Sequence, residues 1–502
     1  MHISITNNLI FDNNNAALLF HNKNTNFEEL IEDKKELDFI KECINKNDKF
    51  GKIKHITLRL KSGFKEIFLI NVEKKYLTTE DLRQVIANGF RHFKRENINI
   101  LEIYLNLLKD AAKEKDLISA ATEAVMLANY NFDKYITKKE DSKQIQKAIN
   151  LVIDKKANSA EAERVLEEYT NLSENVIKTR NVVNEPANKL TPTTFAEYAQ
   201  HQSEKCGFEV EILNKKEIEK LGMGSYLCVA QGSIEEPKFV IMRYFGNKEN
   251  KEILGLVGKG ITFDTGGLCI KPGQAMLGMK HDMAGAAAVI GAISAIAENK
   301  LPANVIAVTA LCENAVSGNA TRPGDIVKSM AGKTIEVINT DAEGRLTLAD
   351  AVYYIIQKEK VNKVVDVATL TGAAIVALGN ITTAVLSNND EFYKNLEKAS
   401  NISGEAMWRL PNRDDYKKYL KSDIADLSNL NYSAGAGTIL GGMFVQEFVG
   451  ETPWLHLDIA GTDDCKADEG YYSKGATGVA VRTLYHLSKI EFGLINNEQK
   501  SN

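Results

Sequence analysis

Between Leu256 and Leu346 the chain carries four carboxylates and two lysines whose setting suits a buried, charged centre: Lys259, Asp264, Lys271, Asp282, Asp341 and Glu343. Glycines flank most of them, at Gly258, Gly260, Gly266, Gly267, Gly273, Gly285 and Gly344. Glycine lets a backbone turn sharply or approach a ligand closely. Clustered carboxylates repel by on the order of several kcal/mol at an intermediate dielectric unless cations lie between them. Divalent ions remove that cost, and two ions roughly 3.5–4 Å apart are commonly bridged by carboxylates.

Taken singly, these residues have simpler uses. Asp282 stands before Met283 as a helix N-cap would. Asp341 and Glu343 would complement the N-terminus of a following helix. Taken together with Asp264 in FDTGG, they fit a metal centre better. Asp341 and Glu343 are two residues apart, so an extended segment would turn both to one side. Lys259 and Lys271 pair with acids by default. A lysine made neutral by burial or by a metal is also a ligand, and a charged one stabilises an oxyanion. Arg345 can hold a planar anion with two parallel hydrogen bonds. His281 adjoins Asp282, but neighbouring side chains diverge, so it is not expected among the ligands.

Such residues need strand ends and helix starts to position them. In open α/β sheets ligands bind in the crevice beyond the strand ends. FEVEIL (208–213), PKFVIMRYF (237–245), EILGLVGKG (252–260), VIAVTAL (305–311), VVDVATL (364–370) and TAVLS (383–387) are apolar runs of strand length. Near-continuous apolar strands imply a sheet covered on both faces. Met283–Glu298 reads as a close-packed helix, and Leu348, Ala351, Val352, Ile355 and Ile356 mark another. Earlier in the chain, Ile56, Leu58 and Leu60 alternate, and EIFLINV (66–72) and INILEIYL (98–105) are further strands. Leu82, Val85, Ile86, Phe90 and Phe93 recur at helical spacing behind a Thr78/Asp81 capping pair. The fold class is therefore α/β: a small N-terminal α/β domain over 1–165, and a larger catalytic domain over 166–502. The larger one has a mixed, mostly parallel sheet covered by helices. A helix from Ser159 connects them, and TKKEDSKQIQK (137–147) reads as a solvated loop.

Composition excludes several classes. The 502 residues carry 62 basic and 67 acidic side chains, a net charge of −5, so no global field favours nucleic acid. No run has the length and apolarity of a transmembrane helix, and the N-terminus lacks the pattern of a secretory signal. Six scattered cysteines form no C-x-x-C and suit reduced thiols in a cytoplasmic protein. AGKT (331–334) lacks the leading glycine of a phosphate loop, and AGAGTILGG (434–442) has its third glycine one place late for a dinucleotide fingerprint.

NTDAEGRL (339–346) resembles, without a change, the signature octapeptide of the leucyl (cytosol) aminopeptidases, two-metal exopeptidases. VGKGITFDTGG, MKHDMAGAAAV, NEPAN followed by LTP, ATLTGA (368–373), ADLSN (425–429) and WLHLDIAG (454–461) are similar to further blocks of that family. The likeness covers about residues 165 to 490, while the first 165 match only in layout. It implies two divalent ions per subunit, zinc, manganese or cobalt. Asp264 and Glu343 would bridge them, Asp341 would complete one site, and Asp282 with a neutral Lys259 the other. It further implies that Lys271 polarises the scissile carbonyl and that Arg345 holds a bicarbonate acting as general base. Met279, Asn339, Thr369, Leu370, Gly372 and Ala476 correspond to substrate-pocket positions. Ala476 stands where some members carry methionine, which would widen the pocket.

The expected reaction is release of N-terminal residues, leucine and other large apolar ones preferred, by attack of a metal-bridging water on the peptide carbonyl. The expected assembly is a cytoplasmic homohexamer with peptide substrates and no membrane or nucleic-acid partner. Two other classes use the same features. A two-metal phosphoesterase would usually add histidine ligands, and only His281 lies in the cluster. A DNA-binding or regulatory protein of this fold would use the N-terminal domain, against the acidic net charge.

Overall fold

A computed structural model describes residues 1–7, 11, 15–45, 47–60, 63–96, 98–137 and 148–495. The charged stretch 138–147, most of the expected solvated loop, lies outside the described residues. The chain divides into two compact units. One comprises Met1–Glu174 with Ala467–Ser473, the other Asn175–Lys466 with Lys474–Asn502.

The first unit holds a six-stranded sheet. Its spatial order is His2–Thr6, Ala148–Val152, Ile100–Tyr104, Ala16–His21, Gly63–Asn71 and Ile53–Leu60. Every pairing is parallel except the last, where Gly63–Asn71 and Ile53–Leu60 form a hairpin. The helix Thr79–Lys94 begins with the expected capping box: Thr78 Oγ1 accepts from the Asp81 N–H at 3.1 Å, and Asp81 Oδ2 accepts from the Thr78 N–H at 3.0 Å. Its apolar stripe, Leu82 to Phe93, is buried.

The second unit is built on eight strands, ordered Met407–Arg409, Thr383–Ser387, Trp454–Asp458, Lys363–Ala368, Leu254–Asp264, Asn304–Asn314, Lys238–Phe245 and Glu209–Leu213. The four central strands are mutually parallel, and antiparallel strands extend the sheet on both sides. Leu254–Asp264 and Asn304–Asn314 are buried almost throughout, as their unbroken apolar sequence requires. Their register holds from Val305 opposite Leu254 to Cys312 opposite Ile261. It then shifts by a bulge, so that Asn314 faces Asp264. A bulge of this kind re-aims side chains at a strand end.

The helix Ala284–Glu298 lies directly on this sheet. A Cβ on Gly285 would stand 2.0 Å from the Val367 carbonyl oxygen, and one on Gly258 would stand 2.5 Å from the Ala286 Cα. Only glycine allows so close an approach of helix backbone to strand backbone. The approach fixes the entry of that helix, and hence Asp282, against the strand that carries Lys259.

Candidate active site

The C-terminal ends of the central strands bring together all six residues singled out above. Asp264 ends its strand. Its Oδ1 accepts from the Gly266 N–H and from Asn314 Nδ2, both at 2.8 Å. The chain then turns through Gly266 and Gly267, at φ +85° and +63°, and returns so that the Lys271 N–H donates to the Thr265 carbonyl at 2.9 Å. That loop places Lys271 Nζ 2.9 Å from Asp264 Oδ2 and 2.5 Å from Asp341 Oδ1.

Lys259 lies deeper, 3% exposed. Its Nζ is 2.6 Å from Asp282 Oδ1 and 2.9 Å from Glu343 Oε1, and donates to the Thr369 carbonyl at 2.9 Å. Asp282 does not cap the following helix, whose N-cap position is Met283 with no side-chain cap bond. Its Oδ1 accepts from Thr369 Oγ1 at 2.8 Å, and its buried Oδ2 has no hydrogen-bond partner among the described residues. Glu343 likewise makes no cap bond to the helix Gly344–Gln357.

One expectation about local structure is corrected. The Asp341–Glu343 segment is a turn, not an extended strand. The Ala342 N–H donates to the Asn339 carbonyl at 3.2 Å, and the Asp341 N–H to Asn339 Oδ1 at 2.7 Å. The asparagine side chain competes for the backbone and tightens the turn. The two carboxylates still converge: oxygens of Asp264, Asp341 and Glu343 lie within 4.8 Å of one another.

Charge and burial oppose each other at this centre. Burial pushes the Asp282 carboxyl well above its usual range despite Lys259. Burial and the neighbouring Glu343 raise Asp264 to about 6. Glu343 is also penalised by burial, but Lys259 and Lys271 outweigh that and hold its carboxyl low. Both lysines are desolvated, yet the carboxylates around them raise their ammonium groups above the ordinary value. Four carboxylates against two ammonium groups leave the centre with an excess of negative charge.

Arg345 is buried beside the centre. Its Nη1 donates to the Asn429 carbonyl at 2.8 Å, while its Nε has no hydrogen-bond partner among the described residues. Burial pulls its guanidinium down to about 10, with Glu343 and Asp458 acting the other way.

The centre opens into a cavity of about 570 Å³. Met279, Thr369, Leu370 and Gly372 line it, as does His281, which stays outside the carboxylate–lysine cluster. Asn339 and Ala476 are not in its lining but adjoin residues that are. Asn339 shapes the turn before Asp341, and Ala476 is buried in a short antiparallel pair opposite Asp464. Sequence reasoning missed Asn314, Asn429 and the acids at 463 and 464. Asn314 Nδ2 also donates to the Thr340 carbonyl at 2.9 Å, tying two ligand-bearing segments together. Asn429 is fully buried; its Oδ1 accepts from the Ile338 N–H at 2.8 Å and its Nδ2 donates to the Asn339 carbonyl at 2.7 Å. It ends the ADLSN block, a signal that was present in the sequence.

All-carboxylate oxygen donors with residual negative charge, and a buried Asp282 oxygen with no hydrogen-bond donor among the described residues, suit divalent cations. The spare, buried Nε of Arg345 equally suits a small planar anion. Fold and site together define an α/β enzyme with a carboxylate-rich, cation-holding centre at the ends of parallel strands. The chain belongs to the cytosol aminopeptidase family. The family's catalytic domain matches residues 177–485 and its N-terminal domain residues 31–139. A probable cytosol aminopeptidase of Clostridium tetani is 46% identical over 419 residues, covering 83% of this chain and 86% of its own. One from Fusobacterium nucleatum subsp. nucleatum is 44% identical over 463 residues, covering 91% and 92%. Among solved structures, the bottromycin maturation enzyme BotP in complex with Mn superposes with a TM-score of 0.84 at 28% identity, covering 95% of this chain and 99% of that one. Among the described residues no helix is long and apolar enough to cross a membrane.

Proposed function

We propose that this chain is a two-metal exopeptidase that releases large N-terminal residues, leucine among them, from peptides in the cytoplasm. The carrying observation is the convergence of Asp264, Asp341 and Glu343 on one side and of Lys259 and Asp282 on the other. Asp264 and Glu343 would be shared between two ions, with Asp341 completing one set and Asp282 and Lys259 the other. Zinc, manganese and cobalt are the candidates, and BotP is a relative whose structure is described with Mn. When bound, such ions acidify water and polarise a carbonyl oxygen.

The chain's own groups supply the rest. Lys259, enclosed by acids, takes part as an amine only after releasing its proton, which a neighbouring dication favours. Lys271 Nζ projects from a loop at the cavity, where its ammonium can meet negative charge developing on the substrate's carbonyl oxygen. Arg345, with its unused Nε, would hold a bicarbonate that accepts a proton. Met279 and Leu370 give the cavity apolar walls for a large side chain.

We further propose a homohexamer, an assembly the family resemblance implies. Leu277, Val376 and Ile381 are 86%, 89% and 81% exposed in segments adjoining the cavity, an apolar surface that assembly would cover.

An assay of the purified chain on a panel of amino-acyl amides, with and without a strong chelator, tests the reading. Cleavage that chelation abolishes and zinc, manganese or cobalt restores is expected. Full activity in protein shown by elemental analysis to be metal-free would refute it.

A further inference from the structure

The active-site cavity contains a buried acid that the proposed chemistry does not use. Asp463 lines its wall, follows the strand Trp454–Asp458, and is 8% exposed. Backbone bonds hold it in place. The Ile459 N–H donates to the Ala368 carbonyl at 2.8 Å, the Asp463 N–H to the Ile459 carbonyl at 3.0 Å, and the Thr477 N–H to the Asp463 carbonyl at 2.9 Å. Ile459 is thereby tied to the strand end next to Thr369, whose hydroxyl donates to Asp282. These bonds, and the 3.8 Å approach of His281 Nδ1, the neighbour of Asp282, set Asp463 on the Asp282 side of the cavity.

Its carboxylate feels the charge of Lys466 only from beyond ion-pair distance. Among the described residues no lysine or arginine lies within ion-pair distance, and the nearest ionisable partner is His281 Nδ1 at 3.8 Å. The neighbouring Asp464 does have one, Lys466 Nζ at 2.5 Å, and that lysine is 85% exposed at the rim. Burial, with Asp464 alongside, pushes the Asp463 carboxyl up to about 8. A desolvated acid without a partner is costly to hold ionised. The loop itself is held by the backbone bonds named above. The lining of the same cavity includes the apolar Met279, Leu370, Ile375 and Ala460, besides polar groups such as Thr371 and Asn380. An aliphatic stem suits these apolar groups, and a cationic head suits the acid.

Resting on the aminopeptidase reading, we infer that Asp463 is a specificity-determining residue that receives the cationic end of a lysine or arginine side chain on the substrate's N-terminal residue. The preference for large side chains thereby becomes one for long, basic ones. Leucine fills the apolar part and leaves Asp463 unmatched.

The test compares lysyl, arginyl, norleucyl and leucyl p-nitroanilides on the metal-loaded full chain. Lysine and norleucine share a straight stem and differ in the charged head. The expected kcat/KM for lysine exceeds that for norleucine by about tenfold or more, chiefly through KM, as removal of one desolvated charge pairing would give. In Asp463→Asn that ratio falls by about the same factor. Binding to the wild-type protein provides a readout that does not depend on turnover or on the variant folding. By calorimetry, free lysine should bind about tenfold tighter than norleucine. A wild-type enzyme that cleaves norleucyl substrate as well as lysyl, or binds the two free amino acids equally, overturns the inference and leaves the aminopeptidase reading intact. Failure to cleave any of the four would overturn that reading itself.

Discussion

Gly344 and Lys259 approach so closely that a Cβ on the glycine would stand 2.4 Å from Lys259 Cε and 2.9 Å from its Nζ. The lysine stem lies along the first turn of the helix Gly344–Gln357, and its head reaches Asp282 and Glu343. Gly344→Ala would therefore displace a ligand candidate without replacing any ligand residue. Overpacking of this kind costs about 1–3 kcal/mol. The expected outcome is a lowered melting temperature, weaker metal retention and a kcat/KM reduced roughly 10–100-fold, since small misplacement at a reacting centre is expensive. Wild-type activity in Gly344→Ala would show that the position of Lys259 is unimportant.

Lys271 contacts Asp264 and Asp341 yet projects from a loop, not from the sheet. If it stabilises charge on the substrate, Lys271→Ala lowers kcat by roughly 10²–10³. Metal content, measured by elemental analysis, stays at the wild-type value. Loss of metal instead would make Lys271 a ligand or a structural group.

Selectivity for a free N-terminus follows from charge. Asp264, Asp282, Asp341 and Glu343 together balance two dications, so no spare anion remains to hold a substrate ammonium once Lys259 is neutral. The substrate amine must then enter deprotonated, as a donor to metal. Leucyl-glycine should be cleaved and N-acetyl-leucyl-glycine left intact. Comparable kcat/KM values on the two would eliminate amine coordination.

A pH effect on stability is expected from Asp350, buried within the helix Gly344–Gln357. Burial raises its carboxyl to about 7, although it accepts the Met330 and Tyr226 N–H groups at 2.7 and 2.9 Å. Because the folded value lies above the unfolded one, the protonated form is favoured on folding. The corresponding stability is fully present below pH ~4 and is lost as pH rises through about 7, on the order of 4 kcal/mol in the limit. Melting temperatures measured from pH 5 to pH 8 should fall more steeply in the wild type than in Asp350→Asn. Parallel slopes would exclude Asp350 as the source.

Much of the centre was legible because its residues sit where glycine-flanked strand ends meet helix starts. Lys259, Asp264, Lys271, Asp282, Asp341 and Glu343 could all be found that way, and the structure brings them together. Asn314 left no such mark. It ends an apolar strand, and its role depends on a bulge that sets it opposite Asp264, a register that periodicity does not encode. The turn at Asp341 was hidden for a related reason: residue spacing reports side-chain direction only once the backbone conformation is known. The assignment of 467–473 to the first unit has no local signal either, since it depends on contacts made far along the chain. The strands His2–Thr6 and Ala148–Val152 pair across almost the whole first unit, which short-range patterning does not capture.

The carboxylates that would grip cations come from three separate stretches, around residues 264, 282 and 341–343, and meet only when the central strands are in register. An unfolded chain offers no comparable chelate, so occupancy and foldedness are thermodynamically linked. Each bound ion would stabilise the native state by RT ln(1 + [L]/Kd), about 2.7 kcal/mol at a hundredfold excess over Kd. Scarcity of metal would then shorten the lifetime of the protein as well as silence it, by enlarging the population open to proteolysis.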